Sequence, residues 1–450
     1  STIGLPMAYF AGRRIGARKG AFGLGARRLG LISLSLWALM PFAVRYGSET
    51  RMYALVSTLV LAGYLLVDNM LATPSSASAT QRSPWPNTAG IVAVTAALLY
   101  THYWTIWLLA ATGLLVIVVL VRAVSAEWRR RCWLTLAAMA GGALLYLPWL
   151  PTMLFQAENT GTPWGEVFRP ATIVVVTITD FVGGGFGELQ IMSYLLFAAI
   201  AVALFGVLRA RAGRDVVEIT AVPQTRILPE VSVLLGTLLI GWAASALSSS
   251  TYASRYAAVV APLFALSVAG GLAMIRTRVG TAVATSVVCA ALLAGSAVEV
   301  VSDRTQADSV ADAVTADLAS QGSSGQSAVV VTCPDQLGPA TQRALSNRGS
   351  DVEVIPYPVA DSDPRFVDWI DYAERNEGSD PVAFAESLKS SVPADTTVYL
   401  VANPGYRTFE GKCEALVSAM GAGASTEVRV VADADNHFEP MGLWITRQAP

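Results

Sequence analysis

Histidine is almost missing from this 450-residue chain: His102 and His437 are the only two, which excludes a metal centre built from several imidazoles. Charge is sparse as well. Acids and bases make up 14% of the residues, against roughly 25% in an ordinary soluble domain, and lysine is confined to Lys19, Lys389 and Lys412. No HExxH, GxSxG or CxxC occurs, so metalloprotease, serine hydrolase and zinc-ribbon chemistry have no support. What remains is apolar. Hydrophobic residues make up 53% of the chain and mean hydropathy is +0.49, which places most of it in lipid.

Runs long enough to span, or nearly so, cover residues 29–44, 53–71, 89–101, 103–121, 132–150, 190–208, 230–247, 257–275 and 279–300, judged against the roughly 20 residues a bilayer core requires. Residues 171–182 read as a shallow or re-entrant helix. The runs at 89–101 and 103–121 are joined only by His102, so the first is either a short helix or part of one bent span. The fold expected is a polytopic α-helical membrane protein with about nine to eleven membrane segments in residues 1–301, followed by a separate α/β domain in residues 302–450. The chain opens at Ser1 within an apolar segment, residues 3–11, that is too short to span. One or more upstream segments are therefore expected.

Sidedness follows from arginine. Arg13, Arg14, Arg18, Arg27, Arg28, Arg82, Arg122, Arg129, Arg130, Arg131, Arg209, Arg211, Arg214, Arg226, Arg276 and Arg278 fall on one side of the runs, while only Arg45, Arg51, Arg169 and Arg255 fall on the other. Basic connections stay in the cytoplasm, so the second group is expected outside. The last span then delivers residues 302–450 to the outer face of the cell membrane.

That tail holds 22 of the 33 acids and 10 of the 31 bases, an acidic balance that argues against nucleic acid as a partner. Short β-branched runs at 327–332, 352–355, 397–402 and 427–431 alternate with helical patterns near 310–319, 340–346, 381–389 and 409–420, which predicts a small parallel sheet. No GxGxxG or P-loop follows any of these strands, so a nucleotide site there is unsupported. Cys132 and Cys289 lie in apolar runs. Cys333 and Cys413 lie in the tail and are a disulfide candidate if it is outside the cytoplasm; the alternative is two buried thiols.

Three polar islands share the outer side: Arg45, Glu49 and Arg51; Tyr100 to Trp104, with His102 and Tyr103; and Tyr252 to Tyr256, with Ser254 and Arg255. Ionisable groups at a membrane boundary are functional-site candidates, because they cost several kcal/mol unless paired or hydrated. An arginine at the head of a span can hold a phosphate bidentately, His102 can carry a proton or ligate a metal, and Glu49 can orient a hydroxyl or help bind a cation. Each has a plainer reading. Arg45 and Arg51 can simply pair with Glu49, His102 can anchor at headgroup level among its aromatic neighbours, and Arg255 can snorkel. Trp164 and Glu166, in the loop at 156–169, read as ordinary loop residues or as substrate contacts. His437 reads as structural.

The spacing Pro41, Arg45, Glu49, Arg51, Tyr53 resembles the P-x-x-x-R/Y-x-x-x-E-x-R-x-Y region of polytopic GT-C glycosyltransferases, the group that includes protein O-mannosyltransferases and lipid A aminoarabinose transferases. His102 to Trp104 and Ser254 to Tyr256 are similar to how those proteins continue, and the likeness covers about residues 1–300. The acidic tail, with Cys333 to Gln336 and Gly405 to Cys413, resembles that of actinobacterial members. The resemblance implies a polyprenyl-phosphate sugar as donor, an inverting displacement in which a base activates an acceptor hydroxyl, and a cell-envelope glycan, lipid or protein as acceptor. It implies Glu49 and Arg51 as parts of a supporting motif and Arg255 as the arginine that would hold the lipid phosphate; together with the polar islands this gives Glu49 and His102 as catalytic candidates and Arg45, Arg51, Tyr53, Tyr103, Arg255 and Tyr256 as substrate-binding candidates. A divalent metal is compatible with the sequence, and no motif assigns its ligands. In that family the acid taken as base lies in the first outer loop, which precedes Ser1, so the principal aspartate is expected upstream and these 450 residues alone are expected to show little transfer. A transporter or lipid flippase with polar islands along its pathway, and an inactive membrane scaffold with a partner-binding tail, are the alternatives.

Overall fold

The computed structural model describes residues 2–18, 25–72, 83–160, 169–183, 190–211, 214–221, 223–224, 226–246, 252–275, 277–301, 305–320, 327–403, 405–406 and 409–448. It divides into two compact units, one of Ser1–Met153 with Gly165–Val301 and one of Leu154–Trp164 with Ser302–Pro450.

The first unit is helical, as an apolar chain that could face lipid must be to satisfy its backbone internally. Helices α1 (Gly4–Ala17) and α2 (Ala26–Leu39) pack closely. A Cβ on Gly12 would meet the Ser33 hydroxyl and sit 2.7 Å from the Leu29 carbonyl, so only a small residue permits this approach. Helix α2 stops at Met40, whose extended backbone (ψ 120°) is what the following Pro41 favours. The chain restarts as α3 (Pro41–Ser48) at 55° to α2. Residues 29–44, read as one run, are thus a broken span.

Helix α4 (Tyr53–Leu71) is followed by α5 (Trp85–Thr101) and α6 (Thr105–Arg122), two separate helices on either side of His102. A 34-residue apolar run, Ala126–Asn159, contains α7 (Ala126–Tyr146) and α8 (Leu150–Asn159). The next helices are α9 (Pro170–Phe181), α10 (Gln190–Phe205), α11 (Leu228–Ala246), α12 (Ala261–Leu272) and α13 (Arg278–Val301). Among the described residues five helices are long and apolar enough to cross a membrane, or six if the bent pair is one span. The larger expected number counted runs that the structure keeps short. Helix α10 gives way at Gly206 to a hairpin, β1 (Gly206–Arg211) with β2 (Arg214–Ile219), and α12 is twelve residues long, all of them buried. A helix apolar on every side belongs inside protein, and α12 forms the heart of the core.

The second unit is a five-stranded sheet with helices on both faces. Its strands are β3 (Ala328–Cys333), β4 (Glu353–Pro356), β5 (Thr397–Ala402), β6 (Ala424–Val430) and β7 (Gly442–Gln448), in the order β4-β3-β5-β7-β6. The expectation of a parallel sheet is corrected. Strands β3, β4 and β5 are parallel, but β7 runs antiparallel to both β5 and β6. The sequence GLWITRQ of β7 carries a weak strand pattern and was not anticipated; inserted between β5 and β6, it is the one strand that runs against the other four. Every residue of β5 is buried, as befits a strand covered on both faces. Val329, Val331 and Leu400 face a core shared with α16 (Tyr372–Glu377), α17 (Pro381–Ser391) and α18 (Lys412–Gly421). Val330, Tyr399 and Val401 face the core of α14 (Ala307–Ser320) and α15 (Gly338–Asn347). A disulfide joins Cys333 at the end of β3 to Cys413 in α18, with a Cα separation of 5.6 Å.

Candidate functional site

The short helix α3 presents Arg45 in its last turn and is closed by Ser48, whose hydroxyl donates to the Arg45 carbonyl at 2.8 Å. Glu49 follows as the C-cap. Its carboxylate lies 3.6 Å from Arg45 Nε and 3.7 Å from Arg51 Nε, and Arg45 Nη1 lies 3.8 Å from Glu299 of α13. The plain pairing of Arg45 and Arg51 with Glu49 is therefore present, and it extends further than the motif. Asp180, near the end of α9, interacts with Arg45 and Arg255 and hydrogen-bonds Ser254. Its Oδ2 is buried with no hydrogen-bond partner among the described residues. Arg45 and Arg51 thus pair with Glu49 and Glu299, and Asp180 lies within electrostatic reach of Arg45 and Arg255; three arginines and three carboxylates leave the neighbourhood formally neutral, as charges drawn from water require.

An aromatic ribbon holds this cluster. The Tyr46 ring lies 4.7 Å from Tyr53, Tyr53 is 5.6 Å from His102, and His102 is 5.6 Å from Tyr256. Trp104 continues the ribbon, 6.0 Å from Tyr256 and 5.1 Å from Tyr252, and the Tyr252 hydroxyl hydrogen-bonds Thr177, one turn before Asp180 on the same side of α9. The Arg45 and Arg255 guanidiniums sit 5.3 and 5.5 Å from the centroids of Tyr46 and Tyr256, within cation–π range. Tyr53 also hydrogen-bonds Arg255. Trp104 is seated against Gly241 of α11, where a Cβ would come 2.6 Å from the indole.

His102 is largely enclosed. Its backbone is extended, its Nδ1 accepts the Trp104 N–H at 3.1 Å and its carbonyl accepts the Thr105 hydroxyl at 2.7 Å. It closes the turn between α5 and α6 while contributing its ring to the ribbon. Tyr103 stands apart: its hydroxyl accepts from Trp149 Nε1 at 3.3 Å. It belongs with Tyr100 and Tyr146 to a second aromatic group, in which the Tyr100 ring lies 5.2 Å from Tyr146 and 6.2 Å from Trp149. The structure therefore brings together Arg45, Glu49, Arg51, Tyr53, His102, Arg255 and Tyr256, leaves Tyr103 outside, and adds Asp180 and Glu299. Trp164 and Glu166 lie outside the described residues. Asp180 carried a legible signal, being the only ionisable residue in the apolar helix PATIVVVTITDF.

Beside the ribbon is a cavity of about 340 Å³ lined by Tyr46, Ser48, Tyr53, Ser57 and Thr58 together with Trp37. This volume is within the range of small-molecule sites, and its wall is mainly apolar, from Leu5, Trp37, Phe42 and Val44, with the tyrosine, serine and threonine hydroxyls set into it. Among the described residues no group of three or more His, Cys, Asp or Glu side chains could hold a metal ion. Comparison with protein-family models, curated proteins and solved structures finds no match to this chain.

Proposed function

We propose that the membrane unit is a glycosyltransferase that moves a sugar from a polyprenyl-phosphate donor to a cell-envelope glycan, lipid or protein acceptor at the outer face of the cell membrane. The observation that carries the reading is the ion-pair network of Arg45 with Glu49 and Glu299, within electrostatic reach of Asp180 and joined by the Tyr46–Tyr53 ring contact to a cavity that both tyrosines line. In this reading the acceptor hydroxyl attacks the anomeric carbon as its proton passes to Asp180, and the bond from that carbon to the lipid phosphate oxygen breaks. Arg255 and Arg45 stabilise the departing phosphate, which gains charge as the bond opens. Glu49, shared between Arg45 and Arg51, aligns the guanidiniums. His102 sets the turn that places Trp104 and orients Tyr53 and Tyr256. The disulfide in the second unit supports an oxidising compartment for the tail.

The test is transfer from radiolabelled polyprenyl-phosphate sugars by full-length protein in vesicles. Asp180→Asn is expected to lower turnover by about 10²–10⁴-fold, the range for a lost general base, and Arg255→Ala by about 10²–10³-fold, the range for a lost charge stabiliser. Glu49→Ala abolishes transfer through the loss of Arg45 alignment, and all three variants express normally. Unchanged turnover in Asp180→Asn and Arg255→Ala rejects the assignment. A second reading, a transporter or flippase, is favoured by the broken span at Met40, since discontinuous helices line transport sites. Uptake of labelled donor without transfer in the same vesicles selects it.

A further inference from the structure

A second cavity, also of about 340 Å³, runs inside the membrane unit between α4, α5, α6, α7 and α11. Its wall is apolar along α4 from Val60 to Val67 and along α6 from Leu108 to Val119. Eleven residues of helix separate Leu108 from Val119, or about 16 Å at 1.5 Å per residue. One leaflet of a bilayer, half of a hydrocarbon core of about 30 Å, has nearly the same depth.

One end is polar. Arg18 donates to both oxygens of Glu230, at 2.8 and 3.1 Å, and to Asp68 at 3.2 Å, while Tyr64 donates to Glu230 at 2.6 Å. Arg14 reaches Asp68 at 3.4 Å. Glu230 is fully enclosed, but the Arg18 and Asp68 side chains keep 26% and 22% of their surface, so this end meets the outside. Two arginines balance two carboxylates, and the Arg18 Nη atoms are already committed to five acceptors. An anionic headgroup finds no surplus positive charge there. Trp128, in the same end of the slot, has a buried indole N–H without an acceptor among the described residues.

We infer that this slot takes one aliphatic chain of a neutral or zwitterionic bilayer lipid, whose ester carbonyl accepts from Trp128 Nε1 and whose headgroup lies over the Arg18–Asp68 pair. The lipid enters from the end of the slot at which Arg18 and Asp68 keep part of their surface. The charged network at its mouth holds α1, α4 and α11 together around the chain, so the bound lipid is a structural constituent of the unit and is independent of the proposed transfer chemistry.

The test uses full-length protein in vesicles with two photoactivatable probes of matched chain length. One is a phosphatidylcholine with a diazirine midway along an acyl chain, the other an isoprenyl monophosphate with the same group. The phosphatidylcholine probe is expected to insert at Leu109, Thr112 and Leu115. Insertion falls at least tenfold in Thr112→Phe and in Val67→Phe, which fill the slot from opposite walls. Labelling of the exposed Val118 and Val121 stays constant, which reports that each variant is folded and embedded. Insertion confined to Val118 and Val121 in the unmodified protein, or slot labelling unaffected by both fillings, overturns the proposal. Preferential slot labelling by the isoprenyl monophosphate overturns the assignment of headgroup charge. Because no turnover is read, failure here leaves the reading of the Asp180 site untouched.

Discussion

Replacing Cys333 and Cys413 by serine opens a loop of 80 residues that contains β4, β5, α15 and α17 and therefore two of the five strands of the second unit's sheet. In the chain-entropy account, closing a loop of that length removes about 4.5 kcal/mol of disorder from the unfolded state. Both sulfurs are buried, at 0% and 1% exposure, so the serine hydroxyls add a desolvation cost of the same sign. The expected loss for the unit is about 2–5 kcal/mol, the range for small disulfide-bonded domains. Amide exchange along β5, which is buried at every position, reports the opening of the whole unit. Protection there should fall between about thirtyfold and several thousandfold, at about 1.4 kcal/mol per decade. Alkylation without reductant supplies the independent count, with only Cys132 and Cys289 modified in the unfolded wild-type chain. A change in β5 protection below about fivefold, or four alkylated thiols, refutes the reasoning.

Arg18→Ala strands the enclosed Glu230 carboxylate and should cost about 3–5 kcal/mol, with Arg18→Ala/Glu230→Leu recovering most of it; thermal denaturation in detergent that shows equal losses for the single and double variants argues against the pair. His102→Ala should destabilise by about 1 kcal/mol through the orphaned Trp104 N–H, whereas His102→Asn, which keeps a short acceptor side chain, should retain stability and transfer. A turnover loss in His102→Asn as large as in Asp180→Asn would give the imidazole a chemical role instead. In the second unit, burial pushes the Asp335 carboxyl above its ordinary value, partly offset by the Tyr372 hydroxyl that donates to it at 2.7 Å. The folded form then holds its proton to higher pH than the unfolded form, so stability falls as pH rises from the ordinary carboxylate value through the raised one. Asp335→Asn should remove that slope from β5 amide exchange, and an unchanged slope places the titration elsewhere.

Helix and strand positions were legible wherever a local requirement sets them. Residues 53–71 and 397–402 were read with the bounds the structure has, because a run facing lipid must close its own hydrogen bonds and a strand covered on both faces must be apolar throughout. Chain breaks were legible in part. His102 separated two runs, but Pro41 sat inside an apolar stretch and its 55° bend was hidden by hydropathy, which is blind to backbone angle. At the candidate site the motif located Arg45, Glu49 and Arg51, and left Asp180 and Glu299 unremarked because a single acid in an apolar helix announces no partner.

Composition and periodicity alone established an apolar helical part, with helices that could cross a membrane, and an acidic α/β part, since those features follow from transfer of side chains out of water and from the two periods of the backbone. Folding in three dimensions assigned the partners. The pairing of Arg18 with Glu230 across 212 positions, the company of Asp180 with Arg255, and the insertion of β7 between β5 and β6 depend on how helices rotate about their axes and how strands order themselves. Those choices minimise unpaired buried charge and unsatisfied strand edges over the whole chain, and no short window of sequence contains both sides of such a balance.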